Sequence, residues 1–171
     1  MEERTGVVTS GGKPITLIGK EIKVGDKAPN FTVLDNDLSP VELSAFKGKI
    51  RVLSVVTSLD TSVCDIQTRK FNEEAAKLGS DVEILTISMD LPFAQKRWCG
   101  AAGVDRVTVL SDHKDASFGK AYGVLIKELR LLTRSVFVVD RDGIVRYEQI
   151  VPEGSNEPDY ESALDAVRKL L

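Results

Sequence analysis

The chain has two cysteines, Cys64 and Cys99, and one histidine, His113, among its 171 residues. A thiol attacks as its thiolate, so what matters is which cysteine lies where an anion is favoured. Cys64 follows the β-branched run KIRVLSVVT, residues 49–57, and falls in the first turn of a helical stretch, SLDTSVCDIQTRKFNEEAAKLG. Unpaired backbone N–H groups and the positive end of the helix dipole favour negative charge there. Asp65 next to it works the other way, so a thiolate at Cys64 calls for a further positive charge. An inert buried cysteine is the competing reading, and position alone leaves both open. The cysteines stand 35 positions apart, which excludes a C-x-x-C redox pair and a zinc ribbon. One histidine and two cysteines cannot fill a four-ligand zinc site. A Cys-His protease would require His113, in the polar turn Ser111-Asp112-His113-Lys114-Asp115, to fold against a cysteine; a solvated loop residue is the plainer expectation.

The elements that must position these groups follow from periodicity and breakers. Two short β-prone runs around Ser10-Gly11-Gly12-Lys13 read as an N-terminal hairpin within residues 6–20. After the breaker Gly25-Asp26-Lys27-Ala28-Pro29, residues 31–34 resume as a strand. Residues 49–57 suit a strand covered on both faces. In the helix that follows, Val63, Ile66, Phe71, Ala75 and Leu78 fall near one face, with Ser58, Asp60 and Thr61 as cap candidates and Gly79 as the stop. Residues 82–89 form another buried-type strand, and 92–102 a helix with Pro92 in its first turn. A strand at 107–110, a helix at 116–122, a hairpin of 134–140 with 144–150 and a helix at 158–171 complete the chain. A hairpin, then βαβα, then a hairpin and a helix is the thioredoxin-like α/β pattern. Phe93 and Trp98 are expected to pack a helix onto the sheet, Gly11-Gly12 to make a turn, and Glu73-Glu74 to form a solvated helix face.

Bulk properties narrow the function classes. With 42% hydrophobic and 29% charged residues the composition is that of a soluble globular enzyme, and the length fits one domain. The net charge is -3 with no basic stripe, which argues against nucleic acid. No apolar run approaches the length of a membrane span. The first residues, MEERTGVVTSGGKP, lack the apolar core of a secretory signal, so the cytoplasm is expected. There is no repeat or linker.

The string SLDTSVCDIQTRKFN, residues 58–72, resembles the active-site stretch of the Tpx-type thiol peroxidases, a branch of the atypical two-cysteine peroxiredoxins. Their T-x-x-C core is matched by Thr61-Ser62-Val63-Cys64 within a longer S-x-D-T-x-V-C signature. Gly25 to Phe31 matches their G-D-x-A-P-x-F, and DLPFAQKRWC matches their D-L-P-F-A-Q-x-R-x-C. The likeness runs from Gly25 to the C-terminal helix, and the N-terminal hairpin is also typical of the branch.

This resemblance implies one thioredoxin-like α/β domain over 1–171, with 1–22 as a hairpin extension. It implies a peroxidase acting on hydrogen peroxide and organic hydroperoxides without cofactor or metal, and commonly a homodimer. The apolar run Val124-Leu125-Ile126 is compatible with such an interface. Cys64 would be the attacking cysteine, and Cys99 would resolve its sulfenic acid as an intrachain disulfide that thioredoxin reduces. Closing that loop would constrain the unfolded chain by roughly 4 kcal/mol, and helix ends would have to unwind for two helical cysteines to meet. Thr61 would orient the peroxide and bond the Cys64 sulfur, although an N-cap role suits its position equally. Arg134, in LLTRSVFVVD, would supply the missing positive charge; by itself it reads as a surface or salt-bridge arginine. The chain departs from the branch at Thr57, where P-x-x-x-T-x-x-C has proline. A hydroxyl there would either bond the sulfur and hold water near it, or simply fill the proline's space in the core. Two other readings are a disulfide carrier without peroxidase activity, against which the absent C-x-x-C weighs, and a binding protein with structural cysteines.

Overall fold

The computed structural model describes residues 1–171. The chain opens on a hairpin, β1 (Glu3–Ser10) with β2 (Lys13–Ile18), closed by Gly11 and Gly12 at φ +58° and +81°. Both glycines are in the left-handed region that a tight hairpin turn demands. Strands β3 (Thr32–Leu34) and β4 (Pro40–Glu42) and a 3-10 turn at Leu43–Phe46 lead to β5 (Ile50–Val55) and helix α1 (Ser62–Leu78). Next come β6 (Val82–Ser88), α2 (Pro92–Ala102), β7 (Thr108–Ser111), α3 (Ser117–Ala121) and the short strands β8 (Leu125–Ile126) and β9 (Leu131–Leu132). Strands β10 (Ser135–Val139) and β11 (Val145–Ile150) and helix α4 (Tyr160–Leu170) finish the fold.

The central sheet has the order β11-β10-β5-β6-β7-β3-β4, parallel through β5, β6 and β7 and antiparallel at both sides. Strand β5 is buried at every position, because strands flank it and layers cover both its faces. Its residues alternate between those layers, as strand geometry requires. Leu53 and Val55 join Phe118 and Tyr122 from the α3 side, and Ile50 and Val52 meet Phe71 of α1 and Leu164 and Val167 of α4. The hairpin is not a loose appendage. Strand β2 pairs with β8, making a second sheet of order β1-β2-β8-β9. This is the expected thioredoxin-like α/β arrangement with an N-terminal hairpin.

Several local expectations fail, each for a physical reason. Helix α1 buries Cys64, Gln67, Thr68, Phe71 and Glu74 and leaves Ile66 48% exposed. Its inner face is rotated from the one the apolar residues suggest, because Gln67 and Thr68 have partners inside. Glu74 is buried rather than solvated, with Lys70 and Lys77 at 3.8 and 3.4 Å from its carboxylate. Phe93 does not pack on the sheet; it is 66% exposed. Val124, Leu125 and Ile126 are buried within the chain, where they carry β8, and so provide no apolar surface for a second copy.

Candidate active site

Cys64 is the third residue of α1 and is completely buried, walled by Val56, Leu59 and Val109. The required positive charge is in place. Arg134 precedes β10, which pairs with β5, so the sheet itself brings it to the end of β5 from which α1 departs. Arg134 is only 3% exposed, and its Nη1 donates to Cys64 Sγ at 3.2 Å. A surface arginine is therefore excluded. A guanidinium offers five donors in a rigid fork, and this one is held from both sides. Nη1 also donates to Gln67 Oε1 at 3.0 Å, while Nε and Nη2 donate to the Gly154 carbonyl at 3.2 and 2.9 Å. Gln67 is in turn fixed by donating from Nε2 to Ser54 Oγ at 2.9 Å. A cation so placed can meet negative charge that develops on an oxygen leaving beside the sulfur.

Thr61 occupies the N-cap position of α1, yet its hydroxyl caps nothing and does not reach Cys64. It donates to the Ser58 carbonyl at 2.8 Å. That orientation commits the hydrogen and leaves the oxygen lone pairs free to accept from a peroxide O–H. Both roles expected of Thr61 in the resting site, cap and sulfur partner, are thus corrected. Thr57 is likewise unbonded to the sulfur and does not fill the core; it lines the cavity beside the site.

That cavity, of about 290 Å³, has Thr57, Thr61 and Arg134 on one wall. A second wall comes from the hairpin, through Val8, Gly11 and Ile15, and Ile126 and Leu129 also line the cavity. Glu153 ties the two walls together. Its carboxylate accepts from Gly12 N–H at 2.8 Å, from the Thr9 hydroxyl at 3.1 Å and from Ser155 N–H at 2.8 Å. Those donors, Ser155 foremost, hold its carboxyl down at about 2, so it is ionised at neutral pH. Gly154, next in sequence, holds Arg134.

Cys99 lies within α2, half-buried against the same apolar cluster that encloses Cys64, beside Trp98. Both thiols are free, and burial pushes the Cys99 thiol up. The two cysteines thus share one apolar cluster. Arg69 stands over the Trp98 ring at 5.7 Å from its centre. Asp90, just ahead of α2, accepts from Ser58 Oγ at 2.7 Å and from Leu59 N–H at 2.8 Å, joining the segment before Cys64 to the helix of Cys99. Sequence reading missed Gln67, Asp90 and Glu153. Gln67 alone had a usable signal, since a residue three positions beyond Cys64 shares its helix face. His113 is half-buried in its turn and belongs to neither cysteine's surroundings.

A family model described as Redoxin matches residues 23–164. The chain belongs to the Redoxin family, in its Tpx-type thiol peroxidase branch. It is 62% identical to the thiol peroxidase of Halalkalibacterium halodurans over 164 residues, 96% of this chain and 98% of that protein. Identity to the Bacillus subtilis thiol peroxidase is 59%, with the same coverage. Among solved structures, a peroxiredoxin-like protein from Aquifex aeolicus superimposes with a TM-score of 0.91 at 43% identity, covering 98% of each chain. Redoxin membership at this level makes the chain a peroxide-reducing enzyme and accounts for a buried cysteine with an arginine on its sulfur. No helix is long and apolar enough to cross a membrane.

Proposed function

We propose that the protein reduces hydrogen peroxide and organic hydroperoxides through Cys64, with Cys99 as the resolving thiol and a thioredoxin-type dithiol as reductant. The observation that carries this is the 3.2 Å contact of Arg134 Nη1 with Cys64 Sγ inside a buried, apolar site. The Cys64 thiolate attacks one peroxide oxygen, the O–O bond breaks, and the other oxygen departs as alcohol or water after taking a proton. Thr61 accepts from the peroxide O–H, and Arg134 stabilises the charge passing through the transition state. The sulfur is left as a sulfenic acid. The Cys99 thiol then attacks that sulfur, releasing water and forming the disulfide, which the external dithiol reduces by exchange.

Both cysteines lie within helices, and a disulfide requires Cα atoms within roughly 7 Å, so the start of α1 or part of α2 unwinds in each cycle. Shared packing of Cys64 and Cys99 in one cluster supports their pairing. The apolar hairpin wall supports a substrate with a carbon chain. The test is a pair of variants. Cys64→Ser should abolish peroxide reduction, and Cys99→Ser should allow one rapid oxidation to the sulfenic acid but no thioredoxin-linked turnover. Equal residual turnover in both variants would refute the assignment of roles.

A further inference from the structure

At the far end of β5 from Cys64 lies a second cavity, of about 430 Å³, whose lining includes Lys27, Lys47, Arg51 and Arg141. Asp142 is the single carboxylate among its lining residues, in a chain whose net charge is -3. Six residues of strand rise separate Arg51 from Thr57, about 20 Å, so this cavity is distinct from the peroxide site. Arg51 is 3% exposed and makes one hydrogen bond, from Nη2 to the Asp140 carbonyl at 2.7 Å. Its Nε is sealed off without a partner.

No carboxylate forms an ion pair with Arg51. Asp140 is the nearest in sequence, and its oxygens are occupied by Asp142 N–H, Ile144 N–H and Arg146 Nε. Lys27 and Lys47 are exposed and form no ion pair, and Arg141 reaches Asp81 only at 3.9 Å. Burial of a lone cation is costly, and evolution ordinarily removes it or gives it a counter-ion. Desolvation lowers the arginine's hold on its proton, partly offset by Tyr122 and Asp140. The neighbouring polar groups are set for a ligand as well. Asn30 is fixed by Glu42 and by Ser44 N–H, which leaves the Ser44 hydroxyl at the cavity without a protein partner.

We propose that this cavity binds a phosphate group, with Arg51 at its floor and Lys27, Lys47 and Arg141 around its rim. Two guanidinium and two ammonium groups match a tetrahedral dianion better than a single carboxylate, because more than one oxygen is contacted at once. The phosphate is either free orthophosphate or the phosphate end of a nucleotide, and the volume accommodates both.

The test is calorimetric titration of the reduced, full-length protein at constant ionic strength with sodium phosphate, AMP and adenosine. Saturable binding of phosphate at one site per chain, with a Kd in the millimolar range or tighter, is expected, with none for adenosine. AMP binding more than tenfold tighter than phosphate identifies a nucleotide as the source; equal or weaker binding identifies free phosphate. The exposed pair Lys27→Ala and Lys47→Ala, made together, should weaken phosphate binding at least fivefold and leave peroxide reduction unchanged. Arg51→Met should remove saturable binding, and the surface pair keeps the test valid if that variant fails to fold. Non-saturable heats, equal binding by adenosine, or an unaffected lysine double variant would overturn the proposal.

Discussion

Replacing Arg134 by methionine removes the one cation in contact with the Cys64 sulfur. Two unit charges 3.2 Å apart attract by about 5 kcal/mol at an effective dielectric of about 20, and by little more than 1 kcal/mol in water. The site is buried, so the true loss lies between these limits. Deleting a donor aimed at developing charge typically costs about 2.7–4 kcal/mol, or 10²–10³-fold in rate. That range is the expected slowing of Cys64 oxidation in Arg134→Met. Structure is lost as well. The Gly154 carbonyl and Gln67 Oε1 each lose a charged donor, at about 1–3 kcal/mol for each acceptor left buried. The two together come to about 2–6 kcal/mol, and at about 2–4 °C per kcal/mol for a chain of this length Tm should fall by roughly 4–24 °C. Arg134→Lys keeps the charge but cannot hold Gly154 and the sulfur together, so its rate should fall between the two. Stopped-flow oxidation in a Cys99→Ser background measures this through Trp98, the single tryptophan, which packs against the Cys64 cluster. A folded Arg134→Met oxidised within threefold of its parent would refute the role.

Thr57→Pro should leave the fold intact and raise the second-order rate with peroxide at pH 7, because Thr57 lines the cavity and its hydroxyl would hold water where proline would keep the wall dry. An unchanged or slower rate would show that this hydroxyl does not hold the reaction back. Thr61→Val removes the lone pairs proposed to receive the peroxide and should slow oxidation at least tenfold, on the order of a lost acid–base partner; parity with the parent would reassign Thr61 to its Ser58 contact alone. Asp112 provides a pH signature. Burial foremost raises its carboxyl to about 6, against the opposing bonds from Gly119 and Phe118. The protonated form is therefore favoured by folding, and that stabilisation is complete below about pH 3.8 and lost as pH rises through about 6. In urea unfolding, the parent should lose on the order of 2 kcal/mol relative to Asp112→Asn between pH 4 and pH 7. Parallel stability curves for the two proteins would rule this out.

The parts of the molecule that show in the sequence are those governed by local rules. Gly11-Gly12 marks the hairpin because a two-residue turn needs positive φ, and the run 49–57 marks β5 because both its faces are covered. Cys64 at a helix start was legible from the chain alone, whereas Arg134 acquired meaning only through resemblance, since its partner is 70 residues away. The buried face of α1 misled because it is polar: Gln67 replaces an apolar residue where an arginine has to be held. Glu153 and Asp90 gave no signal of their own. Each acts through backbone N–H groups of segments far along the chain, and such donors leave no trace in side-chain type. Strands β8 and β9 are two residues each, too short for a period to show.

The Redoxin match begins at residue 23, but one wall of the cavity that Arg134 lines comes from within residues 8–15. A protein expressed from the start of the matched region would keep Cys64, Arg134 and Cys99 and lose Val8, Thr9, Ser10, Gly11 and Ile15, a third of the residues that line the cavity. Glu153 would lose Gly12 and Thr9 as partners, and the edge of β8 would be bared to solvent, where an unpaired strand invites association with other chains. For this enzyme, the family boundary and the boundary of the working catalyst are different lines on the sequence. An affinity tag is better placed after Leu171, beyond the exposed end of α4, than ahead of a hairpin that shapes the active site.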